Sequence, residues 1–283
     1  MKYFIKLLKT LLYPVILLFG EFFVQYVFIF LFNRREINFL NHKYPDLNQT
    51  QIINKLNKVI TTKQYQNRLS NYLNNKTLFI VIIAATILIP LFMMFYKKYK
   101  TKVKKVKLSD IIIIVLLGMS VSTIFNVTIF ELNNLYHFTN NYKLNSISLL
   151  VQILSSGLIG PILEELVFRG IVYNKLKQFN SNMKSIVLTS IIFALFHISN
   201  PLNIIYAFMI SFFFIYLYEK YKGLRYPIIM HVSANTTTIL IMYIMTKQII
   251  WINIILWVIS LIILIIIYIK IIKKDAYKFK NNI

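Results

Sequence analysis

The uninterrupted apolar runs at positions 78–89 and 254–269 constrain this chain more than any other feature. Neither contains a charge, and neither alternates between apolar and polar positions as a membrane β-strand does, so a β-barrel is excluded. Runs approaching the ~20 residues that cross a ~30 Å hydrocarbon core require helices, whose backbone hydrogen bonds close within the segment. Composition agrees: 58% of the 283 residues are hydrophobic, mean hydropathy is +0.64, and 14% are charged. Soluble domains carry roughly 25% charged residues. The expected fold is all-α, a polytopic membrane bundle of about eight transmembrane helices.

Taken in order, the spans fall near 11–32, 78–96, 111–130, 161–178, 184–198, 201–218, 228–245 and 250–269. The first lacks a small-residue cleavage site, so it is expected to be retained. Pro14 and Gly20 can bend it, and Glu21 and Gln25 within it should face protein, Glu21 as a paired or snorkelling residue. The polar stretch 34–76 contains Ile52, Ile53, Leu56, Val59 and Ile60 at helical spacing. That pattern suits a surface helix packed on the bundle or lying in the interface; a lid is the functional alternative. A polar loop at 131–145 holds His137, and a basic tail follows the last span. Three regions result: 1–145, a membrane region; 146–247, where polar groups concentrate inside spans; and 248–283, the last helix and tail.

The net charge of +23 could suggest nucleic acid. Here the lysines lie between apolar runs, which points instead to orientation and to anionic lipid at the cytoplasmic face. With both termini inside, the inner segments hold 21 Lys and Arg and the outer segments 10, eight of those in the long first loop. Both termini are therefore expected in the cytoplasm. Cysteine is absent, which removes disulfides, thiolate nucleophiles and thiolate metal ligands. The Lys, Asn and Ile bias suggests an AT-rich bacterial coding sequence and a bacterial cell membrane.

Positions 160–170 read GPILEELVFRG. A charge at the bilayer centre costs at least ~2.5–3.5 kcal/mol on insertion scales, so Glu164, Glu165 and Arg169 together mark function more readily than packing. On a helix Glu165 and Arg169 share a face at i, i+4, with Glu164 rotated about 100° away. Arg169 is thus expected to hold Glu165 and leave Glu164 free. Phe193 and His197 share a face by the same spacing, as do His231 and Asn235. A lone histidine or asparagine in a span is more often an interhelical donor. Their combination with the glutamates is what argues for a site.

Depth supports a shared site. Glu164 lies 18 residues before Asn182 and His197 lies 15 after it, so the two are level to within roughly 5 Å in an antiparallel hairpin. His231 comes early in its own span. Bringing it level requires the turn at Asn182 to project beyond the membrane.

These groups suit hydrolysis. A buried carboxylate or an imidazole could take a proton from water, and a histidine and an asparagine amide could hydrogen-bond a developing oxyanion. Alternatively Glu164, His197 and His231 could hold a divalent metal such as zinc; no cofactor is demanded, and that choice stays open. HExxH and GxSxG are both absent, and no aspartate pair is available.

At these residues the sequence resembles the CPBP family of intramembrane proteases, also called the CAAX protease and bacteriocin-processing, or Abi, family. Its pattern of EExxxR, FxxxH and HxxxN on successive spans is matched by Glu164-Glu165-Leu-Val-Phe-Arg169, Phe193-Ala-Leu-Phe-His197 and His231-Val-Ser-Ala-Asn235. The resemblance covers roughly 149–240. It implies an eight-helix fold with an intramembrane site opening toward the cytoplasmic side, and an endopeptidase acting on a peptide or membrane-associated protein. Glu164 with His197 would activate water, His231 and Asn235 would stabilise the oxyanion, and Glu165, Arg169 and Phe193 would support them. The family is often labelled metalloprotease, and a metal-free glutamate mechanism is the alternative. Family members also include bacteriocin-immunity proteins, so a non-catalytic immunity or scaffold role is the second reading. A proton-coupled transporter is the third, without a visible inverted repeat to support it.

Overall fold

The computed structural model describes residues 1–104, 106–136, 147–198, 201–245 and 250–269, with backbone only for 133–136, 244, 245 and 250. His137 and the basic tail lie outside the described residues. All regular structure among the described residues is helical: α1 (Lys2–Lys43), α2 (Gln49–Ile60), α3 (Lys63–Tyr96), α4 (Leu108–Tyr136), α5 (Leu149–Lys177), α6 (Asn182–Leu195), α7 (Pro201–Tyr221), α8 (Arg225–Met245) and α9 (Ile250–Ile267). The protein is an all-α membrane bundle. Five helices, α1, α3, α4, α5 and α7, are long and apolar enough to span. The remaining candidates for an eight-span count, α6, α8 and α9, are shorter or more polar.

α5 lies at the centre, against α1, α3, α6, α7 and α8. Every residue from Glu165 to Tyr173 is buried, as expected of a helix enclosed on all sides. α8 is held between α4, α5 and α7. Its contact with α4 is close because small and hydroxyl side chains line it: Ser122 Oγ donates to the Ala234 carbonyl at 2.8 Å and Ser233 Oγ to the Val115 carbonyl at 2.7 Å. Gly118 is obligatory at this crossing, since a Cβ there would fall 2.5 Å from the Met230 carbonyl oxygen. The outward side chains of α1 and α9, among them Phe19, Phe22, Phe23 and Ile255, are exposed, as lipid-facing groups should be.

α2 is packed on the bundle. Ile52 and Leu56 bury against Leu40 of α1, with Ile60 beside them, while Ile53 points away and is exposed. Its start is fixed by reciprocal bonds between Asn48 and Gln51, a capping box. Tyr65 hydrogen-bonds Asn33 and Arg68 grips Glu36 with two bonds, tying α3 to the end of α1.

A new or kinked helix was expected from Pro161. α5 instead runs continuously from Leu149, with two widened, π-type turns at Ile153–Ile159 and Leu166–Tyr173 flanking the glutamates. The first widening precedes Gly160-Pro161 and accommodates a proline ring that would crowd a normal helical turn. The second frees carbonyls that the Asn174 side chain takes up, donating to the Arg169 and Gly170 oxygens at 2.9 and 3.0 Å. Widened turns of this kind recur at functional sites.

The depth problem at His231 is resolved by the α5–α6 hairpin. Leu224, just before α8, and Ile186 of α6 both pack against the cluster of Tyr173, Ile215 and Tyr218, so the turn between α5 and α6 projects past the start of α8. That turn lies at the lysine-rich end: Tyr3 donates to Asn180 at 3.1 Å and Gln178 to Tyr99 at 3.4 Å. The lysine run 97–107 is also tied to the α7–α8 turn, where the Lys104 N–H donates to the Tyr221 carbonyl and Thr101 to the Lys222 carbonyl.

Candidate active site

Glu165 and Arg169 form the buried floor of the site. Both side chains are fully inaccessible, and Arg169 Nη1 donates to Glu165 Oε1 at 2.7 Å. Arg169 Nη2 donates to Ser211 Oγ at 2.7 Å. Its guanidinium lies over the rings of Phe193 and Phe214, 4.3 and 4.8 Å from their centroids. A cation in hydrocarbon is tolerable when a carboxylate, a hydroxyl and two ring faces together replace its water.

The same Glu165 oxygen accepts a second bond, from His231 Nδ1 at 2.8 Å. That bond places a proton on Nδ1, because a carboxylate oxygen already paired with a guanidinium acts as the acceptor. Phe214 stacks on the His231 ring at 4.5 Å and locks its plane. In the neutral ring Nε2 is then bare, and it faces Glu164 Oε2 at 3.7 Å. The expected division between the two glutamates is therefore present in space. Glu165 is enclosed, while Glu164 keeps 25% of its side chain exposed at the cavity.

His197 reaches Glu164 from the other side. The expected α6 ran to 198, but the helix ends at Leu195 and His197 sits in the following turn, its N–H bonded to the Ala194 carbonyl. Pro201 opens α7. His197 Nδ1 meets the Phe193 carbonyl at 2.9 Å, so Nδ1 carries the proton and Nε2 turns to Glu164 Oε2 at 3.8 Å. Phe193 thus supports the arginine with its ring and the histidine with its carbonyl. Glu164 Oε2 has no hydrogen-bond donor. Two imidazole edges and one unsatisfied carboxylate oxygen converge at distances longer than hydrogen bonds. Such separations are common before substrate binds.

Asn235 is one turn beyond His231 on α8. Its Nδ2 donates to the Ser156 carbonyl at 3.0 Å, and no contact places it on either glutamate. It stands where two cavities meet. The larger, about 710 Å³, has Glu164 in its wall and extends along α3 as far as Gln66. The smaller, about 220 Å³, is lined by His197 and His231 with Phe193, Tyr206, Phe214 and Met242. Ser156 and Asn235 line both. The larger cavity runs toward the end away from the lysine run 97–107, opposite to the opening that the resemblance implies.

The donor set of Glu164, His197 and His231 has the chemistry of a zinc site, with Glu164 Oε2 3.8 and 3.7 Å from the two imidazole nitrogens. Among the described residues no group of three His, Asp or Glu is placed to hold a metal ion.

Sequence reasoning missed Ser211 and Phe214. Both lie in an apolar helix more than 40 positions from Arg169, and no local spacing links them to it. Glu21 was expected to face protein as a paired or snorkelling residue. It lines the larger cavity with Glu164, and no hydrogen bond or ion pair to it is found among the described residues.

Residues 146–237 match the sequence profile of the family described as type II CAAX prenyl endopeptidase Rce1-like. Over 90 residues the chain is 31% identical to a Bacillus subtilis (strain 168) protein named "Putative membrane peptidase YdiL", an alignment covering 32% of this chain and 36% of that protein. The chain thus spans about a third of the length of the curated relative it matches. No solved structure matches the chain.

Proposed function

We propose that this protein, whose residues 146–237 match the Rce1-like profile, is an intramembrane protease of the CPBP family, an endopeptidase that hydrolyses a peptide bond within the membrane using its own carboxylate and imidazoles. The observation that carries the reading is the approach of His197 Nε2 and His231 Nε2 to Glu164 Oε2, at 3.8 and 3.7 Å, beside a cavity large enough for a peptide.

In this mechanism a water enters from the cavity beside Glu164. Glu164 takes one of its protons, and the other stays on the oxygen, donating a hydrogen bond to His197 Nε2 that aims the oxygen lone pair at the scissile carbonyl. As the C–O bond forms, the carbonyl oxygen becomes an oxyanion. His231 takes up a second proton from solvent at Nε2 before substrate binds and keeps it throughout; with its Nδ1–H still on Glu165 it donates from Nε2 to that oxygen, and the Asn235 amide adds a second donor on leaving Ser156. Collapse restores the carbonyl and breaks the C–N bond, and the proton held by Glu164 passes to the leaving amine. Glu165 and Arg169 act through His231 as positioning residues.

The substrate would be a peptide or membrane-associated protein, with its scissile bond at the junction of the two cavities. By the excess of positive charge at one end, the lysine-rich face would lie in the cytoplasm against anionic lipid.

The test is cleavage of a fluorogenic peptide library by the full chain in liposomes. Glu164→Gln and His197→Ala should each lower the rate by about 10²–10⁴, the scale of general acid–base catalysis, with membrane abundance unchanged. Full activity in both variants would remove catalysis from this site and leave the scaffold reading.

A further inference from the structure

Resting on that reading, we propose that Glu21, with Gln25 beside it on α1, forms a subsite that binds the cationic side chain of a lysine or arginine in the substrate peptide. Both line the larger cavity, and Glu164 lies in the same wall.

The argument begins with how rarely acid occurs in this chain. It has 32 Lys and Arg against 9 Asp and Glu. Yet the described lining of the larger cavity contains two glutamates and no lysine, arginine or histidine. A cavity lined at random in so basic a chain would be expected to hold cations. The carboxylates are also placed where charge is expensive, since Glu21 occupies the middle of an apolar run.

Glu165, the buried acid of the site, shows how the fold treats a carboxylate for which it supplies the countercharge; Glu21 is exposed to the cavity. Glu165 receives Arg169 at 2.7 Å and His231 at 2.8 Å. Glu21 receives neither a hydrogen bond nor an ion pair from any described residue. Two like charges facing one low-dielectric space repel, and a cation between them relieves both.

Size selects among possible cations. A lone metal ion would leave nearly all of about 710 Å³ unfilled, whereas that volume falls in the range that encloses small ligands and short peptide segments. The remaining polar lining, including Gln66, Ser70, Asn74 and Thr77, suits peptide backbone, which brings hydrogen-bonding groups of its own. The smaller cavity adds the apolar and aromatic side chains of Phe193, Tyr206, Phe214 and Met242 beside the two histidines. A peptide laid across the junction would present a basic residue on the Glu164 side and an apolar residue on the histidine side.

The test uses the full chain in liposomes with fluorogenic decapeptides in which one lysine, or its neutral counterpart norleucine, is moved through each position. At one position the wild type should cleave the lysine peptide at least tenfold faster than the norleucine peptide. Glu21→Gln should bring that ratio near one. Glu21→Lys should reverse it in favour of a peptide with glutamate at the same position, a gain that misfolding cannot produce. Binding of the same peptides to Glu164→Gln, followed by fluorescence anisotropy, separates recognition from hydrolysis. If lysine peptides bind tenfold tighter than norleucine peptides and Glu21→Gln abolishes the difference, yet the wild type cleaves nothing, the subsite stands and the protease reading fails. Cleavage or binding indifferent to lysine, or a preference that survives Glu21→Gln, overturns the subsite and leaves the protease reading intact.

Discussion

Replacing Arg169 with methionine tests whether the floor of the site is one electrostatic unit. The guanidinium and the Glu165 carboxylate are both fully buried and joined at 2.7 Å. With charge centres about 4 Å apart and an effective dielectric near 20, their attraction is about 4 kcal/mol. Breaking a buried pair from one side costs about 3–5 kcal/mol, because the surviving charge keeps its burial and loses its partner. Arg169→Met and Glu165→Gln should therefore each destabilise by that amount. In Glu165→Gln the arginine retains Ser211 and the Phe193 and Phe214 faces, contacts worth about 0.5–2 kcal/mol per ring, so this variant should sit at the lower end.

The double variant removes both charges. The amide oxygen of the new glutamine can still accept from His231 Nδ1, and methionine fits between the two rings. Its total cost should be about 2 kcal/mol, leaving a coupling of at least about 3 kcal/mol between the positions. The assay is reversible unfolding of the full chain in mixed micelles, followed by circular dichroism for the wild type, both single variants and the double. If the single costs add to within about 0.5 kcal/mol, the two charges are not coupled, and the account of Glu165 and Arg169 as one buried ion pair is wrong.

Other outcomes follow from the packing and the site. Gly118→Ala should destabilise by about 1–3 kcal/mol or more, because its Cβ meets the backbone oxygen of Met230 at 2.5 Å; Gly20→Ala, whose Cβ meets only the movable end of Leu88 at 2.6 Å, should cost under about 1 kcal/mol. Thermal midpoints of the two variants in one detergent give the comparison, and equal losses would contradict it. Asn235→Ala should lower kcat by about 10²–10³ with little change in KM if its amide serves the oxyanion; a rise in KM alone would make it a binding residue. Treatment with a strong zinc chelator should leave cleavage within about twofold of the untreated rate, whereas a loss restored by zinc would assign Glu164, His197 and His231 to a metal.

The apolar runs and the scarcity of charge were enough to set an all-α membrane bundle, since hydrocarbon admits few other backbones. Local spacing also separated the two glutamates. An i, i+4 arginine can reach only one of two adjacent carboxylates, and the structure pairs Arg169 with Glu165 while Glu164 faces the cavity. The end of α6 was less readable. Apolar periodicity continues through His197, and only Pro201 hints that the helix stops at Leu195. Ile53 fits an apolar stripe in sequence yet is exposed, because α2 meets one side of α1 rather than being enclosed.

By itself the sequence determined which chemical groups sit at membrane depth and which share a helical face, because those follow from a fixed rise and turn per residue. Only the tertiary structure decided what each group meets across helices: Ser211 and two phenylalanine faces on Arg169, Glu165 shared between Arg169 and His231, and Glu21 brought to the cavity of Glu164. Those pairings depend on how α1, α5, α7 and α8 are rotated and how far each slides past its neighbour. Widened turns in α5 and close approaches such as Gly118 on Met230 fix that register, and no local periodicity encodes it.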